Sequence, residues 1–190
     1  MSRIPPLILE TERLRLYEWD DQSWDDFIRL TNTPAGMRWL GGVLDGDGIA
    51  TFRARIDSYR DRFGHTFWCC RRKDDGGHLA GEVIGMVGLK RANREGGPQG
   101  DHEIGWRFRE DCWGHGYAKE GALAIRDQAF RELGAPHIIA LTVEGNAPSW
   151  GLMRRIGMQR REDLDFASSD FGGGTIIAYS LSRVDWEKLA

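Results

Sequence analysis

Residues 101–120 constrain the fold more than any other part of the sequence. In their first half Ile104, Trp106 and Phe108 alternate with polar or small residues, which is the period of a strand with one buried face. Farther on, apolar residues recur at the three- and four-residue steps of an amphipathic helix: Ala118, Ala122, Ile125, Ala129, Phe130 and Leu133. Gly134 and Pro136 predict where that helix ends. The pattern therefore predicts a strand, a tight loop and a long helix.

The predicted loop contains the small residues Gly114, Gly116 and Ala118. Small residues let a ligand approach the backbone closely, and a helix N-terminus adds free N–H groups and the positive end of a dipole. Two interpretations follow from the local pattern. The loop is either a phosphate-binding site or a plain turn between a strand and a helix.

Residues 103–106, followed by residues 113–120, resemble the acetyl-CoA signature of the GNAT N-acetyltransferase superfamily. More narrowly, they are similar to the branch of ribosomal-protein N-terminal acetyltransferases. Three further segments match in the expected order: residues 9–16, the Asn-x-x-Ser motif within residues 144–149, and residues 155–158. Two positions depart from the pattern: Asp111 stands where the family often has Gln or Arg, and Met158 where it usually has Phe.

The resemblance implies a single acetyl-CoA-dependent N-acetyltransferase domain over residues 1–190, of mixed α/β (α+β) class. Its central sheet would be mostly antiparallel, with one splayed parallel pair of strands, and would be flanked by helices. The nearly all-apolar residues 137–143 fit a buried parallel strand. Further strands are predicted near 14–16, 65–71, 82–89, 164–166 and 175–181, with Gly172, Gly173 and Gly174 between the last two. Further helices are predicted near 24–30, capped by Ser23 or Asp21, and near 49–63.

Bulk properties exclude several classes of protein. A net charge of −3 and a pI near 6.0 give no general attraction to nucleic acid or to an acidic membrane. No apolar run approaches the roughly 20 residues that span a bilayer, and residues 1–6 do not lead into a signal-peptide core. We therefore expect a cytoplasmic monomer or homodimer with neither membrane nor nucleic-acid partners.

The three cysteines, Cys69, Cys70 and Cys112, form no regular spacing. An odd count without a pattern argues against a disulfide framework, and no second ligand pair completes a metal site. We therefore expect no metal. Cys112 has no obvious base beside it and is interpreted as a packing residue rather than a nucleophile.

The resemblance also implies which residues hold acetyl-CoA. Backbone groups of Phe108 and Arg109 would bind the pantetheine arm, and Asn146 would orient the cofactor or the end of a strand. Lys119, together with Arg109, would supply positive charge near the pyrophosphate. The pyrophosphate itself would be held by the backbone of the loop, at Gly114, His115, Gly116, Tyr117 and Ala118.

The attacking amine has to be neutral, which sets the need for a base. An α-amino group has a pKa of about 7.7–8.0, whereas lysine, near 10.4, carries a protonation penalty of roughly 4 kcal/mol. Glu103 is the candidate base, acting through a water; its alternative role is to pair with a nearby cation. Ser149 would donate a hydrogen bond to the departing thiolate. Alternatively, Asn146 and Ser149 only cap a short helix.

Other functions remain open on the sequence alone. A nicotinamide-dinucleotide-binding βαβ unit would use Gly114 and Gly116 with Glu144 as the ribose acid, but Lys119 occupies its third glycine position. A non-catalytic coenzyme A-binding module is the alternative outside the enzymes. The acceptor amine is a protein N-terminus, a free amino acid, a polyamine or an aminoglycoside-like amine. The glycine-rich residues 41–48 are either a substrate-gating loop or a solvated connector.

Overall fold

The computed structural model describes residues 5–168 and 174–189, so Gly172 and Gly173 lie outside the described residues. The strands are β1 (Leu7–Glu10), β2 (Leu14–Tyr17), β3 (Phe67–Arg72), β4 (Val83–Asn93), β5 (Gln99–Phe108), β6 (His137–Val143), β7 (Gln159–Arg160), β8 (Phe166–Ala167) and β9 (Thr175–Ser182). The helices are α1 (Asp21–Thr31), α2 (Gly46–Phe63), α3 (Tyr117–Arg131), α4 (Ala147–Arg155) and α5 (Arg183–Glu187). Short 3₁₀ turns cover Glu110–Cys112 and Glu162–Leu164.

The strands form one sheet in the order β1-β2-β3-β4-β5-β6-β9-β7, with β8 paired to β9. Among the described strands every pairing is antiparallel except that of β5 with β6. That parallel pairing joins only His102 to Ile138 and Glu103 to Ile139, and the two strands part beyond this point. The predicted fold class, a mostly antiparallel mixed sheet with a splayed parallel pair and flanking helices, is confirmed.

Helices cover both faces of the sheet. On one face α3 packs against β2, β4, β5 and β6, and on the other α1 and α2 pack against β4. The alternation along β5 sends Ile104 and Phe108 into the apolar core beneath α3. Arg107 on β5 instead contacts aromatic residues of α1 and α2, so polar side chains of this strand occupy the second face.

The helix ends follow capping chemistry. Gly134 has a left-handed φ of 64°, and the N–H of Ala135 donates to the carbonyl of Ala129, so the predicted C-terminal stop of α3 is confirmed. The predicted cap of α1, Ser23 or Asp21, is wrong. Asp20 is the cap, because its carboxylate accepts from the backbone N–H of Ser23 while the Ser23 hydroxyl bonds back to Asp20.

Two boundaries differ from the prediction. Asp45 caps α2 by accepting from the N–H of Gly48, so residues 46–48 belong to the helix and not to the flexible stretch predicted over 41–48. β4 extends past the predicted residue 89 to Asn93, because residues 90 and 91 pair with β5. No helix in the described ranges is long and apolar enough to cross a membrane.

Candidate active site

The gap between β5 and β6 is lined by backbone groups without a strand partner. Arg109 donates its N–H to the carbonyl of Ile84 at 3.0 Å. Hydrogen bonding alternates along an antiparallel ladder, so Phe108 and Trp106 direct their N–H and C=O groups away from β4 and toward β6. Because β6 has diverged by then, these groups face the gap, and of them the Phe108 carbonyl already accepts from Nε1 of Trp113 at 3.2 Å. An extended chain inserted there can form strand-like hydrogen bonds.

Arg109 does not fit the cofactor contact predicted for it. Its N–H is bound to Ile84, and its guanidinium contacts Asp111 at 2.6 Å and Glu82 at 2.5 Å. Burial alone would lower the pKa of Arg109, but the hydrogen bonds to Asp111 and Glu82 raise it overall. The residue therefore fixes the end of β5, and Asp111, the departure from the family pattern, serves as its partner.

The loop before α3 is shaped by two glycines. Gly114 and Gly116 have φ values of 81° and 82°, in the left-handed region that favours glycine. A Cβ at Gly114 would meet nothing within 4 Å, and one at Gly116 would meet only Nη2 of Arg13 at 3.5 Å. Backbone conformation, not crowding by protein atoms, therefore requires glycine, and the space in front of the loop is open.

Five consecutive or near-consecutive N–H groups at this loop have no acceptor within the described chain. They belong to Gly114, Gly116, Tyr117, Ala118 and Lys119. The N–H of His115 is different, because it donates to the carbonyl of Cys112 at 3.3 Å. Free N–H groups at the start of a helix of 15 residues suit an anion, as predicted for a phosphate site.

The loop is anchored by a contact that the sequence analysis missed. Glu120, in the first turn of α3, accepts from the hydroxyl of Thr11 at 2.5 Å and from the backbone N–H and Nε of Arg13 at 2.7 Å each. Arg13 also donates to the carbonyl of His115 at 3.1 Å. Both partners lie within segments that carried the resemblance, residues 9–16 and 113–120, but nothing local indicated that they meet.

Arg13 also brings a cation to the loop. Its Nη2 lies close to Gly116, whereas the predicted Lys119 is exposed and forms no ion pair in the part of the chain that the structure describes. The rings of His115 and Tyr117 stack with His78, with centroids of the two histidines 4.0 Å apart. These side chains thus pack beside the loop and leave its backbone exposed.

Glu103 forms a buried ion pair. Its Oε2 lies 2.6 Å from Nζ of Lys90, the residue directly opposite on β4, and both side chains are less than a tenth exposed. Burial lowers the pKa of Lys90 even though Glu103 acts to raise it. The alternative role predicted for Glu103, as partner of a cation, therefore describes its geometry in this state.

Asn146 and Ser149 do not cap α4 with their side chains. The side chain of Asn146 donates from Nδ2 to the hydroxyl of Thr142, at the end of β6, at 3.0 Å. Asn146 contacts the start of α4 through its backbone carbonyl, which accepts from the N–H of Ser149. The half-buried Ser149 hydroxyl has no hydrogen-bond partner among residues 5–168 and 174–189. It is therefore free to donate to a bound molecule.

The segment between α1 and α2 covers the inner face of β5. Met37 is buried, and its Sδ lies 3.0 Å from Nη1 of Arg107. The ring of Trp39 packs on the turn after β6, since a Cβ at Gly145 would come within 2.9 Å of it. Thr33 donates its hydroxyl to Glu110 at the end of β5. The segment thus spans the gap from β5 to β6 through residues that precede 41–48, the stretch for which a gate was predicted.

The cysteines pack in the interior. Burial raises the pKa of Cys112 to about 12 and that of Cys69 to about 11, so both remain thiols at neutral pH. The Cys112 thiol faces the carbonyl of Ile84 at 3.8 Å. In the ranges described, no three His, Cys, Asp or Glu side chains are grouped as metal ligands.

Comparisons with known proteins identify the family. Residues 13–159 match the family model described as acetyltransferase (GNAT) domain. The chain is also 43% identical over 155 residues to the uncharacterized N-acetyltransferase YnaD of Bacillus subtilis (strain 168), covering 80% of this chain and 82% of that protein. The protein belongs to the GNAT acetyltransferase family and is an acyltransferase. The nicotinamide alternative is wrong, because that family and the mostly antiparallel sheet exclude a doubly wound dinucleotide fold.

Solved structures agree on the fold. An acetyltransferase from Agrobacterium tumefaciens str. C58 has a TM-score of 0.77 at 24% identity, covering 95% of this chain and 96% of that one. Spermidine N-acetyltransferase from Vibrio cholerae, solved with CoA and spermine, has a TM-score of 0.68 at 13% identity (coverage 93% and 99%). Ribosomal-protein-S5-alanine acetyltransferase from Vibrio fischeri has 0.70 at 13% (94% and 97%). At such identities the comparison shows the fold alone, and it does not single out the ribosomal-protein branch.

Proposed function

We propose that this protein transfers an acetyl group from acetyl-CoA directly to a primary amine of a small molecule or a protein N-terminus. One observation carries the proposal: a loop with five N–H groups that have no acceptor among the described residues lies at the end of β5, beside backbone groups that face the gap between β5 and β6. The first arrangement suits a diphosphate and the second suits an extended amide-containing arm. When bound, acetyl-CoA supplies an activated acyl group.

Different residues would bind different parts of acetyl-CoA. The N–H groups of Gly114, Gly116 and the first turn of α3 would hold the pyrophosphate, with Arg13 adding positive charge. Trp106 and Phe108 would pair with the pantetheine arm through their backbone groups. An N–H placed at the acyl oxygen would contribute roughly 3–4 kcal/mol to the rate, by analogy with other acyl-transfer sites. Arg109 is assigned a structural role instead.

Two side chains are proposed to move protons. Glu103 lies on the face of β5 that the segment between α1 and α2 covers, and it would accept the amine proton through a water. Ser149 would donate its unpartnered hydroxyl to the sulfur of the departing coenzyme A. Because such a thiol has a pKa of about 8.5, one hydrogen bond is sufficient to stabilise the departing thiolate. Asn146, bound to Thr142, would hold the end of β6 in place.

A thiol-release assay tests the proposal directly. Purified protein is incubated with acetyl-CoA and with representatives of four classes: peptides with free N-termini, amino acids, polyamines and aminoglycosides. We expect release of coenzyme A with at least one class. Gly116→Val is the control, because a side chain with a left-handed φ strains the loop without meeting packed protein atoms. It should fold but lose acetyl-CoA binding in calorimetry.

Two results would contradict the proposal. Unchanged affinity for acetyl-CoA in Gly116→Val would remove the loop from the site. Tight binding by the wild-type protein without thiol release from any amine would favour a non-catalytic coenzyme A-binding module.

A further inference from the structure

Within residues 5–168 and 174–189, Arg107 is a buried cation without an anionic partner. The residue is 5% exposed, and its guanidinium lies 4.3 Å from the ring centroid of Phe27 and 4.9 Å from that of Phe52. Its Nη1 donates to the thioether of Met37, and its Nε and Nη2 are buried without any partner. Throughout the described ranges no carboxylate lies within ion-pair distance of it.

The comparison with the other deeply buried arginines shows that this is unusual. Arg72 contacts Asp75 at 2.8 Å, and Arg109 contacts Asp111 at 2.6 Å, which is how a buried guanidinium is normally stabilised. The aromatic rings around Arg107 offset only part of its desolvation. Burial, followed by the nearby charge of Arg55, lowers the pKa of Arg107 to about 9, so it still carries its charge at neutral pH.

The two free donors have a defined geometry. Nε and Nη2 lie on the same edge of the planar guanidinium, and this edge binds a carboxylate through two parallel hydrogen bonds. The third position, Nη1, is occupied by a thioether, which is a weak acceptor. The unsatisfied edge of Arg107 is therefore complementary to one carboxylate group.

Arg107 also lies where an acceptor would enter. It projects from the same face of β5 as Glu103 and stands between Trp106 and Phe108, whose backbone groups line the gap. Consecutive strand residues are about 3.3 Å apart along the chain, so its side chain starts next to the proposed path of the acyl group. The charged group that acts on it is the exposed Arg55, another cation, so the charge around Arg107 is positive.

We propose that Arg107 is a specificity-determining residue that binds a carboxylate carried by the acceptor, so the substrate is an amine with a carboxylate near its nitrogen. This rests on the acetyl transfer proposed above. Met37, between α1 and α2, contacts the guanidinium at Nη1, and its unbranched side chain can adjust its rotamer when a carboxylate binds the free edge. The acceptor is then held by its anion while its amine faces the acyl group.

Matched pairs of acceptors test the inference. Thiol release is measured for α-amino acids against their carboxamides, and for ω-amino acids against the corresponding alkylamines. Peptides beginning with Asp or Asn form a second arm, which distinguishes a protein side chain from a free amino acid as the source of the carboxylate. We expect kcat/KM to favour the acid member by about 10- to 100-fold, because the amide leaves the guanidinium unpaired.

Variants of Arg107 and Arg55 test whether the guanidinium of Arg107 causes the preference for acid acceptors. Arg107→Met should reduce the preference to within about 2-fold by lowering the rates of the acids alone, and Arg107→Lys should retain part of it. Arg55→Met removes a neighbouring positive charge but not the planar donor edge, so it should keep the preference. Thermal unfolding of each variant, with and without the acid, reports folding and binding without turnover.

The possible results separate this inference from the proposed function. Turnover of acids and amides at equal rates, or equal losses on both members in Arg107→Met, would overturn the carboxylate site while leaving acetyl transfer intact. An equal loss of preference in Arg55→Met would also overturn it. Thiol release with no amine would overturn both. Should Arg107→Met fail to fold, the acid preference of the wild-type protein and its change in Arg107→Lys decide the question.

Discussion

At the scale of single residues, the buried pair Lys90–Glu103 connects stability with catalysis. Removing either partner leaves a buried charge unpaired, so Glu103→Gln and Lys90→Met should each lower the free energy of unfolding by roughly 3–5 kcal/mol. Only Glu103→Gln removes the proposed base. It should therefore lower kcat by about 100-fold or more for a lysine-like amine and less for an α-amino group.

Steady-state kinetics on the two variants, with urea unfolding alongside, separate the roles. Lys90→Met is the matched control, since it breaks the same pair but keeps the carboxylate. Equal rate losses in both variants, independent of the pKa of the amine, would mean that Glu103 acts only as a structural partner.

Ser149 provides a second prediction at this scale. Its hydroxyl has no partner in the described part of the chain, so Ser149→Ala should leave the free energy of unfolding within about 0.5 kcal/mol of the wild type. Loss of the hydrogen bond to the leaving thiolate should lower kcat by about 10-fold with little change in coenzyme affinity. Ser149→Thr, which keeps a hydroxyl, is the control. An unchanged kcat in Ser149→Ala would remove this role.

At the scale of elements, the position of the glycine loop depends on the contact between α3 and the turn after β1. Glu120→Gln keeps the shape of the side chain but replaces an ionised acceptor of three hydrogen bonds. Because bonds to charged groups are the stronger ones, we expect a loss of about 1–3 kcal/mol in stability and weaker binding of coenzyme A by about 5- to 10-fold.

Calorimetry with coenzyme A measures the weaker binding expected of Glu120→Gln. Glu132→Gln is a control just beyond the opposite end of the same helix, where, among the described residues, the side chain accepts from Gln128 alone. Equal coenzyme affinity in Glu120→Gln and Glu132→Gln would show that the contact with Thr11 and Arg13 does not hold the loop in its binding conformation.

The elements around the loop show which helix and strand boundaries can be predicted from local sequence patterns. Periodicity placed β5 and α3, and Gly134 placed the end of α3, because these signals act through the backbone of neighbouring residues. The same reasoning missed Asp20 as the cap of α1 and Asp45 as the start of α2. Asp20, Asp21 and Ser23 stand near the first of these ends and Asp45 and Asp47 near the second, and only the folded chain selects which one reaches the free N–H groups.

At the scale of the whole molecule, a buried histidine couples stability to pH. His102 lies near Arg91, His65 and His137, with Asp101 as the nearby acid. Burial, and then the positive charge of Arg91 and the two histidines, lowers its pKa from 6.5 to about 4. Between these values the unfolded chain binds a proton that the folded chain does not, so stability is retained above pH 6.5 and falls as the pH drops toward 4.

The free energy of unfolding is expected to be about 1 kcal/mol lower at pH 5.5 than at pH 7.5, after allowance for partial screening by solvent. Urea unfolding at pH 7.5, 6.5 and 5.5 measures it before carboxylates such as Asp26, whose pKa is lowered by Arg29 from 3.8, begin to titrate. His102→Gln should reduce the slope, leaving a smaller part from His65, whose pKa burial also lowers. An unchanged slope in His102→Gln would assign the pH dependence to other groups.

The sequence by itself determined the strand, the glycine loop and the helix, together with the resemblance to the family, because periodicity and left-handed glycines are properties of consecutive residues. Only the tertiary structure decided which charges are paired. It showed that Arg109 is held by Glu82 and Asp111, that Glu120 binds a turn more than 100 residues away, and that Arg107 has no anionic partner among the residues described. Such pairings depend on strand register and on packing between distant segments, which no local pattern encodes.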